Sequence, residues 1–230
     1  MSRLLLSLAL LALSPALLAV QARPATAPAT AAPPPPRPEV LLHTSMGDIT
    51  LELYPDKSPK SVANFLEYVR DGFYDGTVFH RVINGYLIQG GLYTRQLTPR
   101  RTRAPVPAEA DNGLSNLRGT VAVARGAAPN SGTSQFFINL VDNRRLDYTG
   151  SQSGLTWGYT VFGKVIKGMK VVDKIAKLPT HAQGPFAGDV PEPLVVIESA
   201  KVIGDTSAPA HTGSTPAPAP KGKPAAGKKR

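Results

Sequence analysis

The chain contains no cysteine among its 230 residues. Disulfide bonds, thiolate nucleophiles and cysteine-ligated metals are therefore excluded. Histidine is also scarce, and the four histidines, at positions 43, 80, 181 and 211, share no metal-ligand spacing, so the sequence predicts no metal site. Its glycines lack the order of a phosphate-binding loop. We therefore expect no cofactor.

The net charge of +10 lies mostly at the two ends of the chain. Residues 1–38 contribute +3 and residues 205–230 contribute +4, whereas residues 39–204 carry 18 basic and 15 acidic side chains. The central region is only mildly basic, and no nucleic-acid partner is expected. The basic tail is interpreted as solvated, with weak contact to anionic surfaces as the alternative.

The first 22 residues have the pattern of a secretory signal peptide. A cationic start precedes a Leu/Ala-rich run over residues 4–20, and residues 20–22 fit a small-x-small cleavage site. An uncleaved membrane anchor is the alternative, because about 17 apolar residues is the lower limit for a spanning helix. The sequence predicts cleavage and export to the periplasm of a Gram-negative-like cell.

Proline and alanine dominate two further segments. Residues 23–38 include four consecutive prolines, and residues 205–230 repeat this composition and end in Gly-Lys-Lys-Arg. Such segments bury too little apolar surface to offset the entropy of ordering them. We predict a disordered linker and a disordered basic tail on either side of one domain, residues 39–204.

Apolar patterning within residues 39–204 predicts a mainly β domain. A hairpin is predicted from strands at residues 40–44 and 49–54. A first helix is predicted to begin at Ser58, a candidate N-cap before proline, and a second to cover residues 168–177. Further short strands are predicted within residues 79–91 and at residues 119–124, 134–140, 159–165 and 194–202. About eight short strands favour a sandwich or a closed barrel, because closure removes exposed edges.

Residues 79–91 (FHRVINGYLIQGG) read as two strands around an Asn-Gly turn. Alternation places Leu87 and Gln89 on one face and Tyr86 and Ile88 on the other, unless a bulge brings Tyr86 back. A cation and an amide therefore lie beside apolar side chains.

Arg81 limits the chemistry that this stretch can perform. Its guanidinium stays protonated at working pH, so it can donate hydrogen bonds and stabilise charge but cannot act as a base.

The same stretch closely resembles the signature of cyclophilin-type peptidyl-prolyl isomerases. Further blocks similar to that family follow in order over residues 39–203: NF at 64–65, NLRGT at 116–120, SQFFIN at 134–139, LD at 146–147 and VFGKV at 161–165. The arrangement is most similar to the exported bacterial branch. The resemblance implies an eight-stranded antiparallel closed barrel capped by two α-helices, with the substrate in a groove on the outer face.

The resemblance also implies roles for individual residues. The implied catalytic residues are Arg81, Gln89 and Phe137. Arg81 would donate to the prolyl nitrogen of a twisted amide, Gln89 would hold Arg81 and the substrate backbone, and Phe137 would help to form the proline pocket. The implied substrate-binding residues are Tyr86, Leu87, Ala124, Arg125, Gln135, Leu146 and Tyr159, of which Tyr86, Leu87 and Leu146 complete the pocket.

The reaction of this family does not require an acid–base pair. An X-Pro bond faces a barrier of about 18 to 20 kcal/mol because rotation destroys amide resonance, and no covalent bond has to break. Binding the twisted amide better than either planar form is sufficient for catalysis. The expected partners are proline-containing unfolded or partly folded polypeptides, acted on by a monomer.

Two other interpretations stay open. A binding module of the same fold could hold proline-containing segments as a chaperone or scaffold without turnover. The enzyme could also act on prolines in its own terminal segments.

Departures from the family pattern are few. Tyr86 and Leu87 replace the usual Phe and Met, Arg125 lies where many members carry Asn, and Tyr159 occupies the place of a His in eukaryotic members. The tryptophan of drug-sensitive eukaryotic members aligns near Arg145. The sequence therefore predicts weak cyclosporin binding.

Overall fold

The computed structural model describes residues 37–204. The predicted signal peptide, residues 23–36 of the predicted linker, and the predicted tail, residues 205–230, lie outside the described residues. In chain order the elements are β1 Glu39–Thr44, β2 Gly47–Leu53, α1 Pro59–Arg70, β3 Thr77–Ile83, β4 Leu87–Thr94, β5 Thr120–Val123, β6 Phe136–Asn139, β7 Val161–Lys167, α2 Met169–Ala176, β8 Thr180–Gln183, β9 Phe186–Pro191 and β10 Val195–Val202. A short 3-10 helix, Arg144–Leu146, precedes β7.

Eight of these strands form one closed antiparallel barrel in the order β1-β10-β3-β4-β6-β5-β7-β2. Strands β1 and β2 pair with each other and close the ring. The predicted fold class is thereby confirmed, with two helices packed against the barrel core. Val62, Phe65 and Val69, on one face of α1, are buried in that core, as are Val172 and Ile175 of α2. No helix among residues 37–204 is both long and apolar enough to span a membrane.

The hairpin of β8 and β9 was not predicted. All four residues of β8 are exposed, so the segment lacks the alternation by which the barrel strands were found. The hairpin is attached through Phe186 and Val190, which pack with Val78 and Val196 outside the main core. It adds a second wall beside β3, where the candidate site lies.

The start of α1 differs in detail from the prediction. Ser58 occupies the N-cap position, but its hydroxyl donates to the carbonyl oxygen of Val161 at 2.8 Å and makes no cap bond. The carboxylate of Glu109 instead accepts from the backbone N–H groups of Lys60 at 3.0 Å and Ser61 at 2.9 Å. A side chain distant in sequence thus satisfies the free donors of the first turn.

Strand register separates the core from the outer face. Val82 pairs with Ile88, Ile88 with Ile138, and Ile138 with Val121, across β3, β4, β6 and β5. These four side chains belong to the barrel core. Because successive side chains alternate between the two faces of a strand, the adjacent row on the same four strands must face outward.

Candidate active site

The outward row brings together the three residues predicted to be catalytic. Arg81 of β3 pairs with Gln89 of β4, Gln89 with Phe137 of β6, and Phe137 with Ala122 of β5. Directly opposed residues of antiparallel strands point to the same face. Residues separated by up to 56 positions in the chain thus form one line across the barrel surface.

A groove of about 340 Å³ lies over this row. All ten predicted site residues line it: Arg81, Tyr86, Leu87, Gln89, Ala124, Arg125, Gln135, Phe137, Leu146 and Tyr159. The groove also includes three aromatic side chains that were not predicted, namely His80, Tyr93 and Phe186. The structure therefore places the predicted residues together, while their individual roles stay predictions.

Arg81 belongs to a chain of polar contacts along the groove. Its Nη1 donates to Oε1 of Gln89 at 3.5 Å, and its Nε donates to Oδ2 of Asp189 at 3.5 Å. Nε2 of Gln89 in turn donates to Oε1 of Gln135 at 3.0 Å. The side chain of Arg81 is 41% exposed. It is therefore held from two sides and still accessible to a ligand.

An apolar pocket adjoins this polar chain. Leu87 and Phe137 are only 3% and 2% exposed, although both lie outside the barrel core. Tyr86, Leu146 and Tyr159 pack around them. The ring of Tyr159 meets that of Phe137 edge to face, with centroids 5.5 Å apart. The arrangement offers an apolar pocket beside a cation.

Tyr86 reaches this pocket because it precedes β4. The β3–β4 connection comprises Asn84, Gly85 and Tyr86, and Gly85 has a φ of +70°. Strict alternation from Leu87 would have placed Tyr86 on the core side with Ile88. Since Tyr86 lies in the turn, its ring is free of that alternation and lines the groove with Leu87 and Gln89.

A buried amide network supports the pocket from below. Nδ2 of Asn143 donates to the carbonyl oxygen of Tyr86 at 2.9 Å, and Nδ2 of Asn116 donates to that of Leu146 at 3.1 Å. Asn139 connects the two asparagines, with contacts of 2.8 Å and 3.2 Å. All three side chains are at most 4% exposed. The network fixes the backbone at two pocket residues, and nothing in the spacing of Asn143 revealed this in advance.

The side chain of Arg125 contacts the loop that follows Leu146. Its Nε donates to the carbonyl oxygen of Gly158 at 2.9 Å and its Nη2 to that of Gly154 at 2.6 Å. The guanidinium carbon also lies 4.6 Å from the ring centroid of Tyr159. Arg125 thereby attaches the loop after Leu146 to the groove.

The unpredicted wall of the groove is aromatic. The ring centroid of Phe186, from the β8–β9 hairpin, lies 5.2 Å from that of His80 and 4.9 Å from that of Tyr93. Burial lowers the pKa of His80 to about 4, a hydrogen bond with the backbone of Val78 opposes that shift, and the charge of Arg81 adds to it. His80 is therefore neutral at physiological pH and adds no charge to this wall of the groove.

Comparisons with known proteins agree with this geometry. The family model described as cyclophilin type peptidyl-prolyl cis-trans isomerase/CLD matches residues 39–202. A peptidyl-prolyl cis-trans isomerase A of Dickeya dadantii is 52% identical over 164 residues, covering 71% of this chain and 84% of the relative. Peptidyl-prolyl cis-trans isomerase B of Escherichia coli is 50% identical over 163 residues, covering 71% of this chain and 98% of the relative.

A solved structure is also similar. The cyclophilin type peptidyl-prolyl cis-trans isomerase of Cryptosporidium parvum, crystallised in the presence of the dipeptide Ala-Pro, has a TM-score of 0.59 and 26% identity. The alignment covers 71% of this chain and 98% of that one. The barrel, the outward row and these relatives lead to one conclusion. The chain belongs to the cyclophilin-type peptidyl-prolyl cis-trans isomerases.

Proposed function

We propose that this isomerase accelerates X-Pro rotation in proteins that fold in the periplasm, and that Arg81 stabilises the twisted amide. The observation that carries the proposal is the outward row, in which Arg81 and Gln89 adjoin the apolar side chain of Phe137. A permanent cation beside a dry pocket fits a reaction that needs a donor and no base.

The proposed step concerns the prolyl nitrogen. As the C–N bond rotates, the nitrogen loses conjugation with the carbonyl and its lone pair becomes able to accept a hydrogen bond. A guanidinium N–H of Arg81 donates to that lone pair. In either planar isomer this lone pair is conjugated with the carbonyl and cannot accept a hydrogen bond. The interaction therefore strengthens only in the transition state and lowers the barrier.

Gln89 and Asp189 orient the donor. Each contacts a different nitrogen of the Arg81 guanidinium at 3.5 Å. Catalytic hydrogen bonds are often long without substrate and shorten when substrate binds. Gln135, bonded to Gln89 at 3.0 Å, extends the polar edge along which the substrate backbone binds.

Leu87, Phe137 and Leu146 hold the proline ring. Fixing the ring while the acyl side rotates provides the orientation that the reaction requires. Ala124 and Tyr159 complete the peptide groove on the β5 side.

Exchange NMR on a short Ala-Pro peptide tests the catalytic proposal. We expect Arg81→Ala to lower kcat/KM by about 100-fold or more, which is the usual loss of a transition-state donor. Val141→Ala, at an exposed position outside the groove, is the matched control and should retain the wild-type rate. Equal rates for wild type and Arg81→Ala would remove Arg81 from the mechanism.

The same variants address the scaffold interpretation. A chemical-shift titration with the peptide measures binding separately from turnover. Client binding without any catalysed exchange in the wild-type protein would favour the chaperone or scaffold over the isomerase.

The proposed location rests on the signal-peptide pattern of residues 1–22. Expression of the full chain in a Gram-negative host, followed by osmotic shock and N-terminal sequencing, tests it. We expect a soluble periplasmic product that begins near Arg23. Retention of an unprocessed chain in the inner membrane would support the anchor instead.

A further inference from the structure

Two arginines beside the proline pocket have no carboxylate partner within residues 37–204. The guanidinium carbon of Arg145 lies 4.6 Å from the ring centroid of Tyr86, and that of Arg125 lies 4.6 Å from the centroid of Tyr159. Both rings line the groove. We call Arg125 and Arg145 the arginine rim. It places two positive charges next to the position proposed for proline.

Several other arginines of the domain are neutralised by carboxylates. Arg37 pairs with Glu52 at 3.4 Å and Arg118 with Asp173 at 2.8 Å. Arg37 also pairs with Asp56, Arg81 pairs with Asp189, and Arg103 pairs with Glu67 and Asp71. The arginine rim therefore differs from these residues in its lack of an internal counter-ion.

The residues that line the groove supply no competing negative charge, and the nearby carboxylate of Asp189 is paired with Arg81. None of the thirteen side chains that line it is a carboxylate. Asp147, which follows Leu146, already accepts hydrogen bonds within the protein. Its Oδ1 accepts from the backbone N–H of Asn116 at 2.7 Å and from Nδ2 of Asn116 at 3.1 Å. A carboxylate that arrives with a substrate would meet the arginine rim without displacing a protein group.

The two members of the rim differ in their free donors. Arg125 uses its nitrogens on the carbonyl oxygens of Gly126, Gly154 and Gly158, at 2.6 to 3.0 Å. Arg145 is exposed and forms no hydrogen bond or ion pair within the described part of the chain. Arg125 thus contributes charge, whereas Arg145 contributes both charge and N–H donors.

We propose that Arg145 is a specificity-determining residue, which favours client segments that carry a carboxylate close to the proline. The inference rests on the proposed isomerase function and names its substrate class. Stacking on Tyr86 orients the planar guanidinium, whose donor pairs match the two oxygens of a carboxylate. Because the side chain of Arg145 is exposed to solvent, the preference is modest and depends on salt.

The test uses exchange NMR with a fixed Ala-Pro host peptide. Glu, Gln or Lys is placed in turn at each of the two positions before and after proline. At one or more positions we expect the wild-type enzyme to turn over the Glu peptide about twofold to fivefold faster than its Gln isostere in kcat/KM, at low salt. Arg145→Gln should abolish that ratio, and Arg145→Glu should favour the Lys peptide instead.

Arg144→Gln is the matched control. Arg144 lies in the same 3-10 helix and is exposed, but its side chain contacts no groove ring in the described structure. It should keep the wild-type ratio. A Glu-to-Gln ratio of one at every position in the wild type would overturn the proposal. So would a ratio that survives in Arg145→Gln, or one that Arg144→Gln reduces equally.

A failure of the isomerase function itself looks different. In that case the Gln peptide would show no catalysed exchange with the wild-type protein. Chemical-shift titration would still measure the affinities of the same peptides, and the affinity of the Glu peptide could then be compared with that of the Gln peptide. Equal affinities would contradict the role of Arg145 whether or not turnover is observed.

Discussion

Oδ2 of Asp189 lies 3.5 Å from Nε of Arg81 and connects the β8–β9 hairpin to the guanidinium on the opposite side from Gln89. The backbone of Asp189 has a φ of +63°, in the left-handed region that Asp and Asn tolerate better than most residues. The hairpin thus presents a carboxylate to the proposed catalytic cation.

We predict that Asp189→Asn lowers kcat by about twofold to fivefold with little change in KM, because the donor is less well oriented while the groove keeps its shape. Asn preserves the side-chain size and tolerates the same φ. A double-mutant cycle with Arg81→Ala separates positioning from a general structural effect. The double variant should be no slower than Arg81→Ala alone, and additive losses would show that Asp189 acts independently of Arg81.

A second prediction concerns Glu109 at the start of α1. Its carboxylate accepts from the backbone N–H groups of Lys60 and Ser61, and from the Ser61 hydroxyl at 2.7 Å. Glu109→Ala should lower the free energy of unfolding by about 1 to 2 kcal/mol, the usual cost of losing a cap. Guanidinium unfolding should show a lower midpoint and an unchanged slope.

The control for this change is Asp111→Ala. Asp111 is an exposed carboxylate nearby in sequence that has no hydrogen bond or ion pair within the described residues. Its loss should leave the midpoint within error of the wild type. An equal shift in both variants would indicate a general charge effect in place of a cap.

A third prediction follows from His80, whose pKa is lowered to about 4, chiefly by burial. Unfolded histidine takes up a proton near pH 6.5, so between these values the unfolded chain binds more protons than the folded one. Stability must therefore fall as pH decreases through that window, by roughly 2 to 3 kcal/mol between pH 7 and pH 4.5.

NMR titration of the His80 ring gives the direct measurement. The ring should stay neutral from pH 8 to pH 5. In unfolding experiments, His80→Gln should remove most of the acid-induced loss of stability that this group causes. A measured pKa at or above 6.5 would contradict the prediction.

A fourth prediction is weak inhibition by cyclosporin. The side chain of Arg145, near which the tryptophan of drug-sensitive members is expected to align, lies over Tyr86. Trp157 packs against Tyr148, with ring centroids 5.8 Å apart, and does not line the groove. Titration of the isomerase assay with the drug checks the expectation. Submicromolar inhibition would show it to be wrong.

Local sequence patterns predicted most of the barrel because its strands alternate or form short apolar runs. The barrel order itself required long-range pairing, which no local pattern contains. Arg81 and Gln89 lie in one hairpin, so their proximity could be read from residues 79–91. Phe137 joins them only through the pairing of β4 with β6, and it was identified by resemblance to the family.

The parts that were missed have identifiable physical causes. The β8–β9 hairpin is held by Phe186 and Val190 and exposes the rest of its first strand, so its pattern resembles a loop. Because this hairpin was not predicted, the contact between Asp189 and Arg81 was not predicted either. The prediction that Ser58 caps α1 was wrong for a related reason. Ser58 is a suitable residue type for an N-cap, but its hydroxyl donates to the carbonyl oxygen of Val161, which is distant in sequence.

Neighbouring rows on β3, β4, β6 and β5 serve different purposes: Val82 and Ile88 hold the barrel together from within, while Arg81 and Gln89 work on its exterior. Laboratory evolution can therefore diversify the partly exposed exterior positions of these strands with little effect on folding, provided that the buried Leu87 and Phe137 are kept. A library confined to the exterior positions should yield many well-folded proteins with new peptide preferences, whereas one confined to the interior positions should yield mainly insoluble ones.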